Sequence, residues 1–125
     1  MPLTYDNTKS PYYSEVERAF DSAQDWTANG ADTLSLYFRG VATNSSESLY
    51  VTVKDNSKSK TVAHSNAAAT QVAEWQQWTI PLSDFTAAGV KLTAVKALVF
   101  GVGNKTAAGT GVMYIDDIGY GRPLQ

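Results

Sequence analysis

From residue 33 onward the chain alternates. In Thr33-Leu-Ser-Leu-Tyr-Phe-Arg-Gly40, Leu34, Leu36 and Phe38 share one parity, and Ser35, Tyr37 and Arg39 share the other. Ser48–Lys54 repeats the pattern, with Leu49, Val51 and Val53 set against Tyr50, Thr52 and Lys54. Trp78, Ile80 and Leu82 do the same after Trp75, which has the opposite parity to Trp78. In Val95–Gly103, Leu98, Phe100 and Val102 point one way, and Val99, Gly101 and Gly103 the other. A period of two is the signature of a strand with one buried and one wet face. The alternation therefore sends Trp78 into the core and leaves Trp75 on the surface.

Weaker signals fill in the rest. Leu3–Tyr5 reads as a short opening strand, closed by a turn cluster through Pro11. Tyr12–Phe20 reads as a strand, although Ser14-x-x-Glu17 has the form of a helix capping box. Residues 21–32 read as loop, with Trp26 plugging one end of the core and Asn29-Gly30 as a turn signal. Lys60–Ala63 is a hairpin partner for the strand before it, and residues 66–74 hold a helical turn or a loop. Pro81 cannot donate to a ladder, so its strand is at an edge or ending there. Val112–Ile118 is the last strand, and Gly119–Pro123 its exit. Six to eight short strands without a long helix predict an all-β domain, a two-sheet antiparallel β-sandwich.

At 125 residues the chain is one domain, 1–125. It reads as a module excised from a larger protein. The net charge of -2, with no basic run, lacks the footprint of a nucleic-acid binder. No apolar run approaches the roughly 18 residues of a membrane helix. With no cysteine, disulfides and thiolate metal sites are excluded.

The outward positions are the informative ones. They carry Tyr13, Tyr37, Tyr50, Tyr114 and Trp75, with Arg39, Glu15, Glu17 and Gln77 among them. Tyr and Trp rings give large apolar contact with a polar edge, which suits the C–H faces of pyranose rings. Arg39, Gln77, Glu15 and Glu17 would hydrogen-bond the hydroxyls. The same tyrosines would equally serve as cross-strand pairs that stabilise a sheet. Asp116 and Asp117, adjacent on a strand, point to opposite faces. Asp117 shares parity with Met113 and Ile115, and a core-facing carboxylate needs a partner. Calcium, a buried arginine such as Arg18, or backbone N–H groups would each supply one. A glycoside hydrolase needs two carboxylates across a cleft, and Glu15 or Glu17 with Asp116 is the pair available. The chain is short for such a cleft and carries no catalytic signature, so an enzyme is not expected.

Three segments, in order, carry a resemblance. Asp25-Trp26 with Leu34–Gly40, then Trp75-x-x-Trp-Thr-Ile-Pro-Leu-Ser-Asp-Phe85, then Met113-Tyr-Ile-Asp-Asp-Ile118 resemble jelly-roll carbohydrate-binding modules of the galactose-binding-like kind. These are appended to endoglucanases and other polysaccharide-degrading enzymes, and the likeness spans residues 12 to 120. It implies a jelly roll that binds a polysaccharide ligand, expected to be a β-glucan of the cellulose, mixed-linkage or xyloglucan type. It also implies a covalently linked catalytic domain, a secreted protein, and a structural calcium, for which Asp117 and Asp116 are the candidate ligands. Such modules usually begin with a further N-terminal segment that contributes an acidic calcium ligand, and this sequence starts close to the second or third strand. The expected sugar contacts are Tyr37, Tyr50, Tyr114 and Trp75 by stacking, with Arg39, Gln77, Glu15, Glu17 and Tyr13. The other reading is a protein-binding or adhesion module of a large surface protein.

Overall fold

In a computed structural model, the described residues form eight strands in two antiparallel four-stranded sheets. The structure describes residues 2–27 and 33–121, and of residues 117–121 only the backbone. The strands are β1 (Pro2–Asp6), β2 (Tyr13–Gln24), β3 (Thr33–Arg39), β4 (Leu49–Lys54), β5 (Ser59–Ala63), β6 (Gln76–Pro81), β7 (Val95–Gly103) and β8 (Thr110–Gly121). One sheet has the order β1-β8-β3-β6 and the other β2-β7-β4-β5.

The core lies between the sheets and follows the alternation. Leu34, Leu36 and Phe38 of β3, Trp78 and Ile80 of β6, and Met113 and Ile115 of β8 face Leu49, Val51 and Val53 of β4 and Leu98, Phe100 and Val102 of β7. Trp26 closes one end at 2% exposure, with its amide donating to the Leu92 carbonyl at 2.8 Å. Burying large side chains of this kind contributes roughly 1.5–3 kcal/mol each. That gain fixes register, because a one-residue slip would turn a strand's whole apolar set outward.

Several expectations change. The segment at Ser14–Glu17 is strand, as expected, but β2 runs on to Gln24, past the expected end at Phe20. Its pairing with β7 is irregular between Ala19 and Gln24, which hides the period there. Strand β8 extends through Gly121 and pairs with β3 across an irregularity between Ser35 and Tyr37. Arg18 is exposed, its guanidinium lying 5.9 Å from the Phe20 ring centroid, so it is not the buried partner of a core carboxylate. The Asn29-Gly30 turn and the side chain of Asp117 lie outside the described residues. Strand β6 is an edge strand that ends at Pro81, as proline chemistry requires. A short 3-10 turn at Ala69–Gln71 occupies the alanine-rich segment. Among the described residues no helix is long and apolar enough to cross a membrane.

Candidate functional site

Each sheet has an outward face, and the expected site residues divide between the two. Tyr13, Glu15 and Glu17 lie on β2 and Tyr50 on β4, on the outer face of β2-β7-β4-β5. Tyr37 and Arg39 lie on β3, Gln77 on β6, Tyr114 and Asp116 on β8, and Trp75 just before β6, all belonging to the other sheet. The single platform expected from the sequence is thus two surfaces on opposite sides of the sandwich. The same division separates Glu15 and Glu17 from Asp116, so these carboxylates do not flank a common cleft.

On the first face, register aligns Glu15, Gly101, Tyr50 and Ala63 in one row across β2, β7, β4 and β5. Gly101 makes the row possible. A Cβ built there would sit 2.1 Å from Tyr50 Cζ, so the ring occupies the space that a side chain would take. Lying across the glycine, Tyr50 donates its hydroxyl to Glu15 Oε2 at 2.5 Å. Tyr50 is therefore 9% exposed, packed onto the sheet where it was expected to be displayed. Burial, and then the neighbouring Glu15 carboxylate, raise its pKa well above that of an ordinary phenol. The next row pairs the Thr52 and Thr61 hydroxyls at 2.6 Å. Beyond it, Lys54 Nζ and Glu17 Oε1 form an exposed ion pair at 3.1 Å.

Small residues along these rows leave a groove of about 440 Å³ over the sheet. Tyr13 and Tyr50 supply its rings, and Glu15, Ser48, Asn104 and Lys105 its polar groups. Gly103, Ala63 and Thr61 complete its lining.

One end of the groove is held by a buried polar cluster absent from the sequence reading. Glu47, 7% exposed, accepts hydrogen bonds from Asn7 Nδ2 and Ser45 Oγ. Asn7, fully buried, also donates to the Val102 carbonyl at 3.0 Å, and its own Oδ1 accepts from Ser14 Oγ at 2.8 Å. Beside it Asn44 Nδ2 donates to the carbonyls of Thr70 at 2.7 Å and Val112 at 2.8 Å. These bonds tie the loops on either side of Ser48 and Asn104 to both sheets, and so fix the groove's rim.

On the second face, Tyr114 is opposite Arg39, and Asp116 and Gln77 flank Tyr37. The Arg39 guanidinium lies 4.8 Å from the Tyr114 ring centroid and 5.7 Å from that of Trp75. Asp116 is exposed, and no three acidic or histidine side chains converge among the described residues. Asp116 alone does not make the multi-oxygen cage that calcium takes.

A family model described as Carbohydrate binding domain 30 matches residues 3–122, nearly the whole chain. The chain belongs to this family. No curated protein matches it in sequence. Among solved structures it resembles a family 30 carbohydrate-binding module, at 19% identity and a TM-score of 0.72, over 96% of this chain and 65% of that one. It also resembles an exo-β-agarase, at 13% identity and a TM-score of 0.70, over 99% of this chain and 20% of that one. A family 11 carbohydrate-binding module from Clostridium thermocellum, in complex with a β-1,3-1,4-mixed-linked tetrasaccharide, matches at 11% identity and a TM-score of 0.56, over 94% of this chain and 81% of that one. At these identities the likenesses show a shared β-sandwich. The chain spans about a fifth of the agarase and about two thirds of the family 30 structure.

Proposed function

We propose that the groove over β2, β7, β4 and β5 binds a single β-linked glucan chain, of the cellulose, mixed-linkage or xyloglucan type. On this reading the module is non-catalytic. It is secreted with a covalently attached glycoside hydrolase, which it holds on its polymer. The observation that carries the reading is the groove itself. Two phenol rings lie beside a short set of polar groups, Glu15, Ser48, Asn104 and Lys105, in an open trough on a rigid sheet. Rings supply contact area to sugar C–H faces, and a few fixed polar groups select the hydroxyls. An open trough admits a chain from the side, at any point along a polymer, where a closed pocket takes only its end. The mixed-linked tetrasaccharide bound to the family 11 module supports a glucan as the ligand. The agarase, in which the matching region is a minor part of the chain, supports an attached enzyme.

Native affinity electrophoresis through gels containing hydroxyethyl cellulose, mixed-linkage β-glucan or xyloglucan tests the reading, with and without a calcium chelator. Retention by at least one glucan, weakened in Tyr13→Ala and Glu15→Gln, is the expected result. Equal mobility in all gels, or release of reducing sugar, overturns it.

A further inference from the structure

We propose that the outer face of the β1-β8-β3-β6 sheet is a second carbohydrate-contacting surface, and that the module bridges two β-glucan chains, one in the groove and one on this face. The proposal goes beyond the groove reading, because the two surfaces share no residue.

The face is organised by Arg39. Register puts Tyr114 of β8 directly opposite it, and one step past the Phe38–Gln76 pair brings Trp75 to its other side. The row therefore runs Tyr114, Arg39, Trp75, with the guanidinium within cation–π reach of both rings. The two rings belong to strands flanking β3, so they stand two strand spacings apart, roughly 9–10 Å. That is comparable to one disaccharide of an extended β-linked chain.

One observation marks the row as unfinished. Trp75 is 49% exposed, the one large hydrophobic side chain so exposed among the described residues. A guanidinium held between rings keeps its planar fork of donors pre-aimed. Acceptors in a matching plane, such as vicinal hydroxyls, would complete it. Gln77, exposed in the next row beside Tyr37, adds an amide that both donates and accepts.

The remaining exposed positions of the face decide the occupant. Pro2 continues the row beyond Tyr114, and Val112 lies one row away beside Thr4. Asp116, Tyr37 and Gln77 fill the other neighbouring row, and Ser35 and Thr79 the one after it, so most of the face around the row is polar. A protein interface of stable size buries about 800 Å² per partner around an apolar core, which three side chains in a mostly polar surround do not provide. A narrow, extended, hydroxyl-rich polymer needs only the row. Groove and row lie on opposite outer faces of two stacked sheets, so one chain cannot occupy both.

The test combines bridging with retention. Beads coated with mixed-linkage β-glucan are mixed with the protein, and agglutination is scored beside affinity electrophoresis and size-exclusion chromatography. The wild type is expected to agglutinate beads as a monomer. Trp75→Ala and Arg39→Gln are expected to lose agglutination and to keep retention through the groove. Trp75→Tyr is expected to restore much of it. Tyr13→Ala with Glu15→Gln is expected to lose agglutination and keep a residual retention that Trp75→Ala then removes. Absence of wild-type agglutination, or Trp75→Ala agglutinating like the wild type, overturns the proposal. So does agglutination that follows a protein dimer. If the groove variants retain normal binding and Trp75→Ala abolishes it, the groove reading fails and the second face alone is the site.

Discussion

Tyr50 reaches Glu15 across Gly101, two strands away, with a hydrogen bond of 2.5 Å. The absent Cβ at Gly101 is what lets the ring lie down. Gly101→Ala places a methyl group 2.1 Å from Tyr50 Cζ, and the ring must lift. The expected cost is about 1–3 kcal/mol of stability, as for other overpacked sites. Glucan retention should weaken with it, because the lifted ring fills the groove. Thermal denaturation and affinity electrophoresis of the one variant check both effects. An unchanged melting temperature would mean that the ring is not anchored over the glycine.

The same pair makes an alkaline prediction. Burial and the Glu15 carboxylate raise the Tyr50 pKa in the folded state above the value near 10 of an unfolded phenol. A raised folded pKa gives stability that is complete below the unfolded value and is lost as pH rises past it. The wild type should therefore lose stability from about pH 10 upward more steeply than Tyr50→Phe. Spectrophotometric titration at the tyrosinate band should show Tyr50 and the fully buried Tyr5, both raised by burial, ionising late, with one late phenol fewer in Tyr50→Phe. Parallel melting curves for the two proteins above pH 10 would refute it.

The strands were legible because a sheet with one buried face repeats every two residues. That period separated Trp75, half exposed, from Trp78, buried, and placed Leu34, Val51 and Phe100 inside. It says which face of its own sheet a residue takes, and nothing about which sheet. Tyr37 and Tyr50 look identical in the sequence, yet the long-range pairings β3-β8 and β4-β7 put them on opposite sides of the molecule. Accessibility was hidden for a similar reason. An outward tyrosine on an inner strand reads as displayed until a cross-strand glycine gives it somewhere to lie. Asn7 and Glu47 left no periodic trace, because they are buried from loops by hydrogen bonding and not by an apolar pattern.

His64 gives an acid prediction. Its ring centroid lies 4.9 Å from that of Trp78 and 5.2 Å from that of Phe38, and its Nδ1 accepts the Asn66 amide at 3.0 Å. Burial lowers its pKa, and protonating Nδ1 would turn that acceptor into a second donor. A histidine with a depressed folded pKa is neutral in both states above about pH 6.5 and costs nothing there. As pH falls below that value the unfolded chain takes the proton first, and stability declines. The melting temperature should fall between about pH 6.5 and 5, and His64→Gln should flatten that part of the curve. An identical decline in both proteins would assign it to carboxylates instead.

Glu47 is the strongest test of what holds the groove's rim. Its carboxylate accepts from Asn7 Nδ2 and Ser45 Oγ, and the Gly109 amide approaches at 3.4 Å. Asn7 Nδ2 and the Gly109 amide only donate, although the Ser45 hydroxyl can also accept, so each Glu47 oxygen faces one obligate donor. Glu47→Gln keeps the volume but brings an NH2 group against one of them, and leaves a buried donor unpaired at a cost of about 1–3 kcal/mol. Glu47→Ala should cost at least as much, since Asn7 Nδ2 keeps only its bond to the Val102 carbonyl. Because the cluster joins the loop before Ser48 to the turn after Asn104, glucan retention should drop in Glu47→Gln even below its melting transition. Chemical denaturation for stability, and affinity electrophoresis well below the transition, separate the two losses. Full retention with lowered stability would show that the cluster supports the fold without shaping the groove.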